Sequence, residues 1–323
     1  MRNFLGERLA EDPVLTRLQA NMLLLLAAAF WGFGNVAQKT VLQHLDPLSA
    51  VGLRCLVGAL LVAPFALAFR RTKAVGFWMS VGRVAALFSL AILLQQHAYI
   101  ETTVTNASFL VNTATVMTPL AAWLLFGERP ALAVVAAAVA TLFGVLLIAG
   151  ELTSANPGDL FALASAVFYA LWMVELGRHM RAHGDAPTTS AAQFALAALL
   201  ALPIGIAGTG LSAAALAEAA PKLVGLGFFS TALAFGIQTA AQRFTPASHA
   251  AVIVSAESVF GAAGGALFLG ERLSASAALG AAIVLGAILL LALTATEAGS
   301  EPAGSRWSGG KPRRPPSGPT RSS

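Results

Sequence analysis

The run MLLLLAAAFWGFG, residues 22–34, indicates the fold class because it carries no charge and lies within an apolar stretch from Ala20 to Val41. A helix needs roughly 20 apolar residues to cross a hydrocarbon core about 30 Å thick. Nine similar stretches follow: 47–69, 80–100, 104–126, 130–149, 157–179, 188–208, 221–243, 246–269 and 274–295. The composition agrees, with 57% hydrophobic and 11% charged residues. The sequence therefore predicts an all-α integral membrane protein with ten transmembrane helices.

Positive charge is distributed unevenly among the loops. If the N-terminus is placed in the cytoplasm, the cytoplasmic segments hold 16 Lys and Arg residues, and the outer loops hold 3, namely Lys39, Lys222 and Arg272. The positive-inside rule then predicts that both termini are cytoplasmic, in an inner or plasma membrane. Topology thus accounts for much of the formal net charge of +5, and no nucleic-acid partner is expected.

The two ends of the chain are too short to form domains. Segment 1–19 precedes the first span, and no small-residue cleavage site follows that span, so we expect a retained helix. The tail, 296–323, is rich in Pro, Gly, Ser and Arg, which predicts a disordered cytoplasmic segment. Weak attraction to anionic membrane lipid is a possible additional role of this tail.

The two halves of the chain, 20–149 and 157–295, resemble each other. The first contains TVTNASFLVNTATVMTPLAAWLLFGERP from Thr103, and the second contains FTPASHAAVIVSAESVFGAAGGALFLGERLS from Phe244. Both segments open with a Thr-x-Ala-Ser pattern and close on Gly-Glu-Arg, although their spacing differs by three residues. The sequence therefore contains an internal repeat with a short insertion in one copy.

An odd number of spans in each half makes the repeat inverted. Five spans force the second half to enter the membrane from the opposite side, so a pseudo-two-fold axis lies in the membrane plane. Inverted repeats are a common architecture of secondary transporters, with the substrate near the midplane between the repeats. The duplication could also reflect only the history of assembly.

These ordered motifs resemble EamA-type members of the drug/metabolite transporter superfamily. The motifs are Phe30-Trp31-Gly32, Asp46-Pro47 with Arg54, Thr105-x-Ala107-Ser108 with Pro119, Gly127-Glu128-Arg129, Ser230-Thr231-Ala232, Pro246-Ala247-Ser248, Ala256-Glu257-Ser258-Val259-Phe260 and Gly270-Glu271-Arg272. The resemblance covers roughly residues 20–295. It implies a ten-helix inverted-repeat fold and transport of small metabolites, often export, without implying a particular substrate.

Glu257 is the most central acid of the predicted spans. An ionisable side chain at the bilayer centre costs about 3 kcal/mol on insertion scales, so it should face a cavity or a partner. Glu257 either binds a cationic substrate or a proton, or it hydrogen-bonds another helix and locks the bundle. Gly261, Gly264 and Gly265 follow it; they either leave space beside the carboxyl group or allow close helix contact.

Two further charged residues lie within the spans. Arg54, about two turns into the second span, either pairs with a carboxylate or contacts an anionic substrate. Its counterpart in the second half is Gln193, so the site is expected to be asymmetric. Glu175 follows Tyr169 and Trp172 at steps of three residues, and it either lines the pathway mouth or is an interfacial carboxylate.

Polar side chains recur at helical spacing on four spans. They are Trp31, Asn35 and Gln38 on the first, Gln95 and Tyr99 on the third, Ser108, Asn112 and Thr115 on the fourth, and Gln238 and Gln242 on the eighth. Such stripes either line a pathway or form interhelical hydrogen bonds of about 0.6 kcal/mol each. We expect at least two stripes to line the substrate pathway.

Bending points are predicted in the fourth and ninth spans. Pro119 removes one backbone hydrogen bond and should kink the fourth span. Gly261, Gly264 and Gly265 should loosen the ninth. The two Gly-Glu-Arg turns are interpreted as structural, because glycine ends a helix and the charges anchor the turn at the interface.

Motif searches narrow the function. The sequence has no Gly-x-x-x-x-Gly-Lys-Ser/Thr loop, no His-Glu-x-x-His, no Gly-x-Ser-x-Gly and no Cys/His cluster, so neither a cofactor nor a metal is expected. The sequence predicts a secondary active transporter of small metabolites, driven by a proton or substrate gradient, with export favoured by the resemblance. The alternatives are uptake or, outside transport, a membrane enzyme acting on lipid-linked groups.

Overall fold

The computed structural model describes residues 15–68, 75–150 and 156–299, and all regular elements in these ranges are helical. The ten spans are α1 (Arg17–Val41), α2 (Pro47–Ala68), α3 (Val75–Glu101), α4 (Val104–Asn112 and Ala114–Phe126), α5 (Leu132–Ala149), α6 (Pro157–His183), α7 (Ala186–Thr209), α8 (Ala213–Gly225, Leu226–Leu233 and Ala234–Ala241), α9 (Ala247–Val254 and Glu257–Leu269) and α10 (Ala275–Gly299). Each is long and apolar enough to cross a membrane. The prediction of an all-α protein with ten transmembrane helices is confirmed.

Several helices extend beyond the apolar stretches that predict them. α3 begins at Val75 and α6 continues to His183. α10 continues to Gly299, which takes the first four residues of the predicted tail into the helix. The rest of that tail, 300–323, and residues 1–14 of the N-terminal segment lie outside the described residues.

The helix packing follows the predicted pseudo-two-fold axis. α1 of the first repeat packs against α8 and α9 of the second, and α6 of the second repeat packs against α3 and α4 of the first. The equivalent helices α2 and α7 pack along each other, as do α5 and α10. Since each half has five spans, the fold consists of two inverted five-helix repeats.

Two equivalent helices are interrupted at equivalent places. α4 breaks at Thr113, and α9 breaks at Ser255 and Ala256. The backbone tightens to a three-residue hydrogen-bond pattern at both breaks, with 3.1 Å from Thr113 N to Leu110 O and 3.1 Å from Ser258 N to Ser255 O. Both repeats therefore contain a discontinuous helix.

The breaks differ in position from the bending points that the sequence predicts. Pro119 lies within the second segment of α4, six residues after the break, and the glycines lie within the second segment of α9. The hydroxyl of Thr113 donates a hydrogen bond to the Leu110 carbonyl oxygen at 2.5 Å, so a side chain competes with backbone N–H groups for this acceptor at the break.

The glycines of α9 serve contacts with neighbouring groups. A Cβ at Gly264 would lie 3.1 Å from the Phe33 ring of α1, and a Cβ at Gly261 would lie 3.7 Å from the Gly32 carbonyl oxygen. Gly265 has the carboxylate of Glu271 beside it. The contacts of Gly261 and Gly264 match the close helix packing that the sequence left as an alternative.

The three-residue difference between the repeats lies before the helix, not within it. α4, from Val104 to Phe126, and α9, from Ala247 to Leu269, have the same length, whereas the preceding loops contain two and five residues. The two Thr-x-Ala-Ser patterns are therefore not structurally equivalent. The structural counterpart of Glu257 is Ala114, since each begins the second segment of its helix.

Candidate functional site

A cavity lies between the two repeats in the middle of the bundle. It encloses about 910 Å³, including the solvent at its open side, and residues of α1, α2, α3, α4, α6, α8 and α9 line it. Among the lining residues are Trp31, Asn35, Gln38, Arg54, Gln95, Tyr99, Asn112, Thr115, Tyr169, Trp172, Gln238 and Glu257. The fold thus brings together most of the residues that the sequence assigns to a pathway, although their contact with substrate stays a prediction.

Glu175, like Gln242 of the α8 stripe, is a pathway candidate that does not line the cavity. Its Oε1 accepts a hydrogen bond from Arg83 Nε at 2.7 Å, which joins α6 to α3. Each residue advances 100° around a helix, so two steps of three residues shift the face by about 120°. This drift separates Glu175 from Tyr169, which does line the cavity.

The cavity also contains residues that the sequence did not assign. Gln96, Ser230, Phe235 and Ser255 are among them. Ser230 belongs to the motif Ser230-Thr231-Ala232, and Ser255 directly precedes the motif that begins at Ala256. The motifs therefore pointed to both positions without assigning either serine a role. Gln96 and Phe235 had no signal that separated them from ordinary packing residues.

Two amides on α1 hold the two charged residues of the cavity. Asn35 Nδ2 donates to Glu257 Oε1 at 3.0 Å, and Gln38 Oε1 accepts from Arg54 Nη1 at 3.3 Å. Gln38 also donates to Gln96 Oε1 at 3.4 Å. Because residues three apart on a helix are neighbours, α1 presents both amides on one face.

The two opposite charges do not form an ion pair with each other. Within the described part of the chain, neither Arg54 nor Glu257 has an ion-pair partner within 4.0 Å. Arg54 is only 8% exposed, and its Nε has no hydrogen-bond acceptor. The cavity therefore holds a buried cation and a carboxyl group that are not paired with each other.

Glu257 is positioned by the break in α9. It is the first residue of the second helical segment, where the helix dipole favours negative charge. Discontinuous helices whose ends face a central cavity are a recurring way to build ion and substrate sites in transporters. The break thus supplies both the space and a favourable field for this carboxyl group.

A π-helical turn shapes the cavity wall on α8. The turn Leu226–Leu233 widens the helix, and the Ser230 carbonyl oxygen accepts a hydrogen bond from Trp31 Nε1 at 2.8 Å. Such π-helical turns occur frequently at functional sites. This bond fixes the Trp31 indole ring against α8, where it lies 4.6 Å from the Phe235 ring centroid.

An aromatic cluster closes one side of the cavity. Phe88 and Phe194 are fully buried, and the Phe88 ring centroid lies 5.4 Å from that of Trp172 and 5.0 Å from that of Phe235. On α3 the cavity is lined by Gln95, Gln96 and Tyr99, all in the last third of the helix, whereas Phe88 lies at its midpoint. The cavity therefore leans toward the membrane face at which α1 and α3 end.

In the ranges that the structure describes, no three His, Cys, Asp or Glu side chains form a group that could hold a metal ion. The lining is instead a mixture of amides, hydroxyls and aromatic rings around one cation and one carboxyl group. Such a surface can bind a small polar or charged organic molecule.

Comparison with known proteins gives three consistent matches. The model of the EamA-like transporter family matches residues 18–150 and 156–293, one repeat each. An uncharacterized transporter of Archaeoglobus fulgidus is 25% identical over 277 residues, which cover 86% of this chain and 87% of that protein. A solved crystal structure shares the fold with a TM-score of 0.75 and 19% identity, over 88% of this chain and 100% of the other.

Proposed function

The chain belongs to the EamA-like transporter family and is a membrane transporter, and from this premise we propose that it is a secondary active transporter of small polar metabolites. It works by alternating access: the two inverted repeats rock about the central cavity, which faces one side of the membrane and then the other. Family resemblance supports export as the physiological direction.

The observation that carries the proposal is the meeting of the two discontinuous helices at the cavity. Thr115, just after the break in α4, and Ser255, at the break in α9, lie with their hydroxyl oxygens 2.7 Å apart. Both residues line the cavity. Two equivalent breaks that meet at the pseudo-axis give each repeat a bending point beside the binding space, as rocking requires.

The present conformation corresponds to one end of this cycle. The positive-inside rule assigns the face at which α1 and α3 end to the outside, so a cavity that leans toward it faces outward. The cluster around Phe88 and Phe194 then separates the cavity from the cytoplasm. The second state opens this cluster and closes the outer side.

Glu257 is the group that we assign to energy coupling. A carboxylate at this depth in the membrane favours a cation or a proton as its partner, and Asn35 supplies only a neutral hydrogen bond. Loading the carboxyl group with a proton or a cationic group on one side and unloading it on the other would couple transport to that ion's gradient. The alternative, a purely structural link between α1 and α9, predicts no effect on coupling.

Transport by the purified protein in liposomes tests the proposal. Counterflow of radiolabelled metabolites from a broad panel should show accumulation of at least one unmodified compound. Glu257→Gln, which keeps an acceptor for Asn35, should abolish concentrative uptake while exchange persists. Glu218→Gln, which removes only a surface partner of His44, is the matched control and should leave both activities intact. A chemically altered product would contradict the proposed function, and unchanged concentrative transport in Glu257→Gln would contradict the coupling role of Glu257.

The orientation of the protein in the membrane requires a separate test, because the proposed mechanism assigns the face at which α1 and α3 end to the outside. In a Cys55→Ala background, a cysteine at Ser212 in the α7–α8 loop should react with an impermeant thiol reagent on intact cells. A cysteine at His183, at the end of α6, should react only after lysis. The reverse pattern would invert the proposed topology.

A further inference from the structure

Arg54 and Gln193 occupy equivalent places in the two repeats. Each lies eight residues after an aspartate, Asp46 or Asp185, whose carboxylate accepts backbone hydrogen bonds at the start of α2 or α7. The same structural position thus holds a permanent cation in one repeat and a neutral amide in the other.

The second repeat uses this position to hold the protein together. Gln193 is fully buried, and its Oε1 accepts a hydrogen bond from Trp172 Nε1 at 3.0 Å. Its Nε2 donates to Thr239 Oγ1 at 3.3 Å. Both ends of the amide therefore have protein partners, and Gln193 is not among the residues that line the cavity.

The first repeat leaves the position largely unpaired. A guanidinium group has five N–H donors, and in the described ranges Arg54 uses one, from Nη1 to Gln38. Its Nε has no acceptor, and no carboxylate pairs with the group. A cation that is more than nine-tenths buried strongly destabilises the protein without a counter-ion. Arg54 borders the cavity, through which an anionic ligand can reach it.

We propose that Arg54 binds a carboxylate group of the transported molecule, so that the substrate is a small organic compound bearing a single carboxylate. This assignment rests on the proposed function, since it names the substrate class of the same cavity. The planar guanidinium matches a carboxylate in a two-bond geometry, and the remaining donors of Arg54 are enough to form it.

The charge balance of the cavity favours a carboxylate over a phosphate. Arg54 is the one Lys or Arg among the lining residues, and Glu257 shares the same space. A phosphate monoester carries a charge of about −1.5 to −2 at pH 7, which one guanidinium does not neutralise beside a second carboxyl group. A monoanion leaves the filled cavity closer to neutral.

The aromatic part of the lining suggests suitable probes. Trp31, Tyr99 and Tyr169 border the cavity together with Arg54, so an aromatic ring carrying the anionic group suits this surface. Benzoate and benzamide have nearly the same shape and differ in charge. Phenyl phosphate adds the more highly charged anion, and butyrate with butyramide provides a second matched pair without a ring.

Binding is measured first, on the full-length protein in detergent, as the shift in unfolding temperature against probe concentration. The wild type should prefer benzoate to benzamide and to phenyl phosphate, and butyrate to butyramide. Arg54→Gln places the residue of the second repeat at this position. It should weaken benzoate binding roughly 10- to 100-fold, the loss expected for hydrogen bonds to a charged group, and leave benzamide within about two-fold. Arg54→Lys should retain part of the preference.

The matched control is Arg83→Gln, which removes a cation that is bound to Glu175 and does not line the cavity. It should bind all probes as the wild type does. The assignment is overturned if the wild type shows no carboxylate preference, if Arg54→Gln binds benzoate normally, or if it loses benzoate and benzamide equally, since the last result indicates a structural role.

Counterflow of the same probes separates this assignment from the proposed function. If benzoate binds with the expected dependence on Arg54 but shows no counterflow in liposomes, transport loses support and the binding assignment stands. If benzoate and benzamide both show counterflow and Arg54→Gln changes neither rate, transport stands and the assignment to Arg54 fails.

Discussion

Helices α4 and α9 occupy equivalent places in the two repeats, and their first segments contain 9 and 8 residues before the interruption. The second segments both contain 13 residues. The residue that begins this segment is Ala114 in α4, whereas it is Glu257 in α9. The backbone of the repeat is therefore duplicated, but the charge at its most central position is not.

The same contrast holds for α2 and α7, where Arg54 and Gln193 share one position. A rocking mechanism needs similar backbones in both repeats, because the inward- and outward-facing states should have comparable energies. A substrate, however, meets both repeats at once and is itself asymmetric. Similar backbones allow the two repeats to rock, and different polar groups in the two repeats allow them to bind an asymmetric substrate.

The largest expected effect concerns Gly32 in α1. The sequence Phe30-Trp31-Gly32 corresponds to Phe168-Tyr169-Ala170 in α6, so Ala170 is the counterpart of Gly32. Ala170 is 1% exposed, so the second repeat accommodates a Cβ at this place. A Cβ on Gly32 would lie 2.6 Å from the Glu257 carbonyl oxygen and 2.5 Å from Phe260 Cβ. We expect Gly32→Ala to destabilise the protein by about 1–3 kcal/mol through overpacking, and to impair transport by displacing Glu257.

Denaturant unfolding in detergent and counterflow in liposomes measure these two effects of Gly32→Ala. Gly82→Ala in α3 is the control, because no atom lies within 4 Å of the added Cβ there. An alanine in place of glycine within a helix should by itself stabilise by roughly 0.5–1 kcal/mol. If Gly32→Ala behaves like Gly82→Ala, α1 and α9 do not pack as closely as described.

The next largest effect concerns the beginning of α2, outside the membrane-spanning segments. Asp46 Oδ1 accepts hydrogen bonds from the backbone N–H groups of Leu48 and Ser49, and Oδ2 accepts one from Thr209 Oγ1 at the end of α7. Burial raises the pKa of Asp46, but these bonds outweigh it and hold the pKa below its ordinary value of 3.8. Asp46→Ala should cost about 1–2 kcal/mol at neutral pH.

The lowered pKa of Asp46 also fixes the direction of its pH dependence. A carboxyl group with a depressed folded-state pKa contributes its full stabilisation above its unfolded pKa and loses it as the pH falls through the folded-state value. The difference in unfolding midpoint between wild type and Asp46→Ala should therefore be constant well above pH 3.8 and shrink below it. A difference that grows on acidification would show that the contacts of Asp46 do not favour the ionised form.

The ten spans could be predicted from the sequence because lipid demands about 20 apolar residues per helix. The helix interruptions could not, because the sequence does not show whether a hydroxyl such as that of Thr113 will donate to a backbone carbonyl oxygen of the preceding turn, here that of Leu110. Proline and glycine are stronger signals, but Pro119 and Gly264 are accommodated within continuous segments here. Packing against neighbouring helices decides which signal bends the chain.

In the candidate site, too, packing between distant helices limits what the sequence predicts about single side chains. Helical spacing predicts that Asn35 and Gln38 share one face of α1, and both residues line the cavity. The sequence also aligned Arg54 with Gln193, but it did not indicate that the indole N–H of Trp172 would donate a hydrogen bond to the amide oxygen of Gln193. Which polar groups remain free for a ligand depends on contacts between distant helices, and these emerge only in the folded bundle.

A smaller effect is expected at the contact between the two breaks, where Thr115 and Ser255 share a hydrogen bond. A double-mutant cycle with Thr115→Val and Ser255→Ala should give a coupling energy of about 0.6 kcal/mol, the average for such bonds between membrane helices. Thermal unfolding of the four proteins measures it. Zero coupling together with normal transport would indicate that the two interruptions move independently of this bond.

The smallest effect concerns the Gly-Glu-Arg turns, which the sequence suggests are only anchors. The structure adds an ion pair between repeats at each turn: Glu128 Oε1 lies 3.6 Å from Arg181 Nη2, and Glu271 Oε1 lies 3.2 Å from Lys39 Nζ. The first pair joins the α4–α5 turn to the end of α6, and the second joins the α9–α10 turn to the end of α1. The pairs therefore lie on opposite membrane faces. The first holds the cytoplasmic side closed in the present outward-facing state, and the second limits how far the outer side opens, so the two should restrain opposite openings.

Glu128→Gln and Glu271→Gln should consequently shift access in opposite directions. Exposed ion pairs contribute roughly 0.2–1 kcal/mol, so each shift should be about two-fold in the population of states. The rate at which a thiol reagent reaches a cysteine at Ser108, in a background lacking Cys55, measures that population from outside. We expect Glu271→Gln to raise the rate and Glu128→Gln to lower it, with both shifts diminishing in high salt because the charges are exposed. Shifts in the same direction would show that the turns stiffen the bundle without distinguishing its two faces, and the duplicated Gly-Glu-Arg motif would then be an anchor in both repeats.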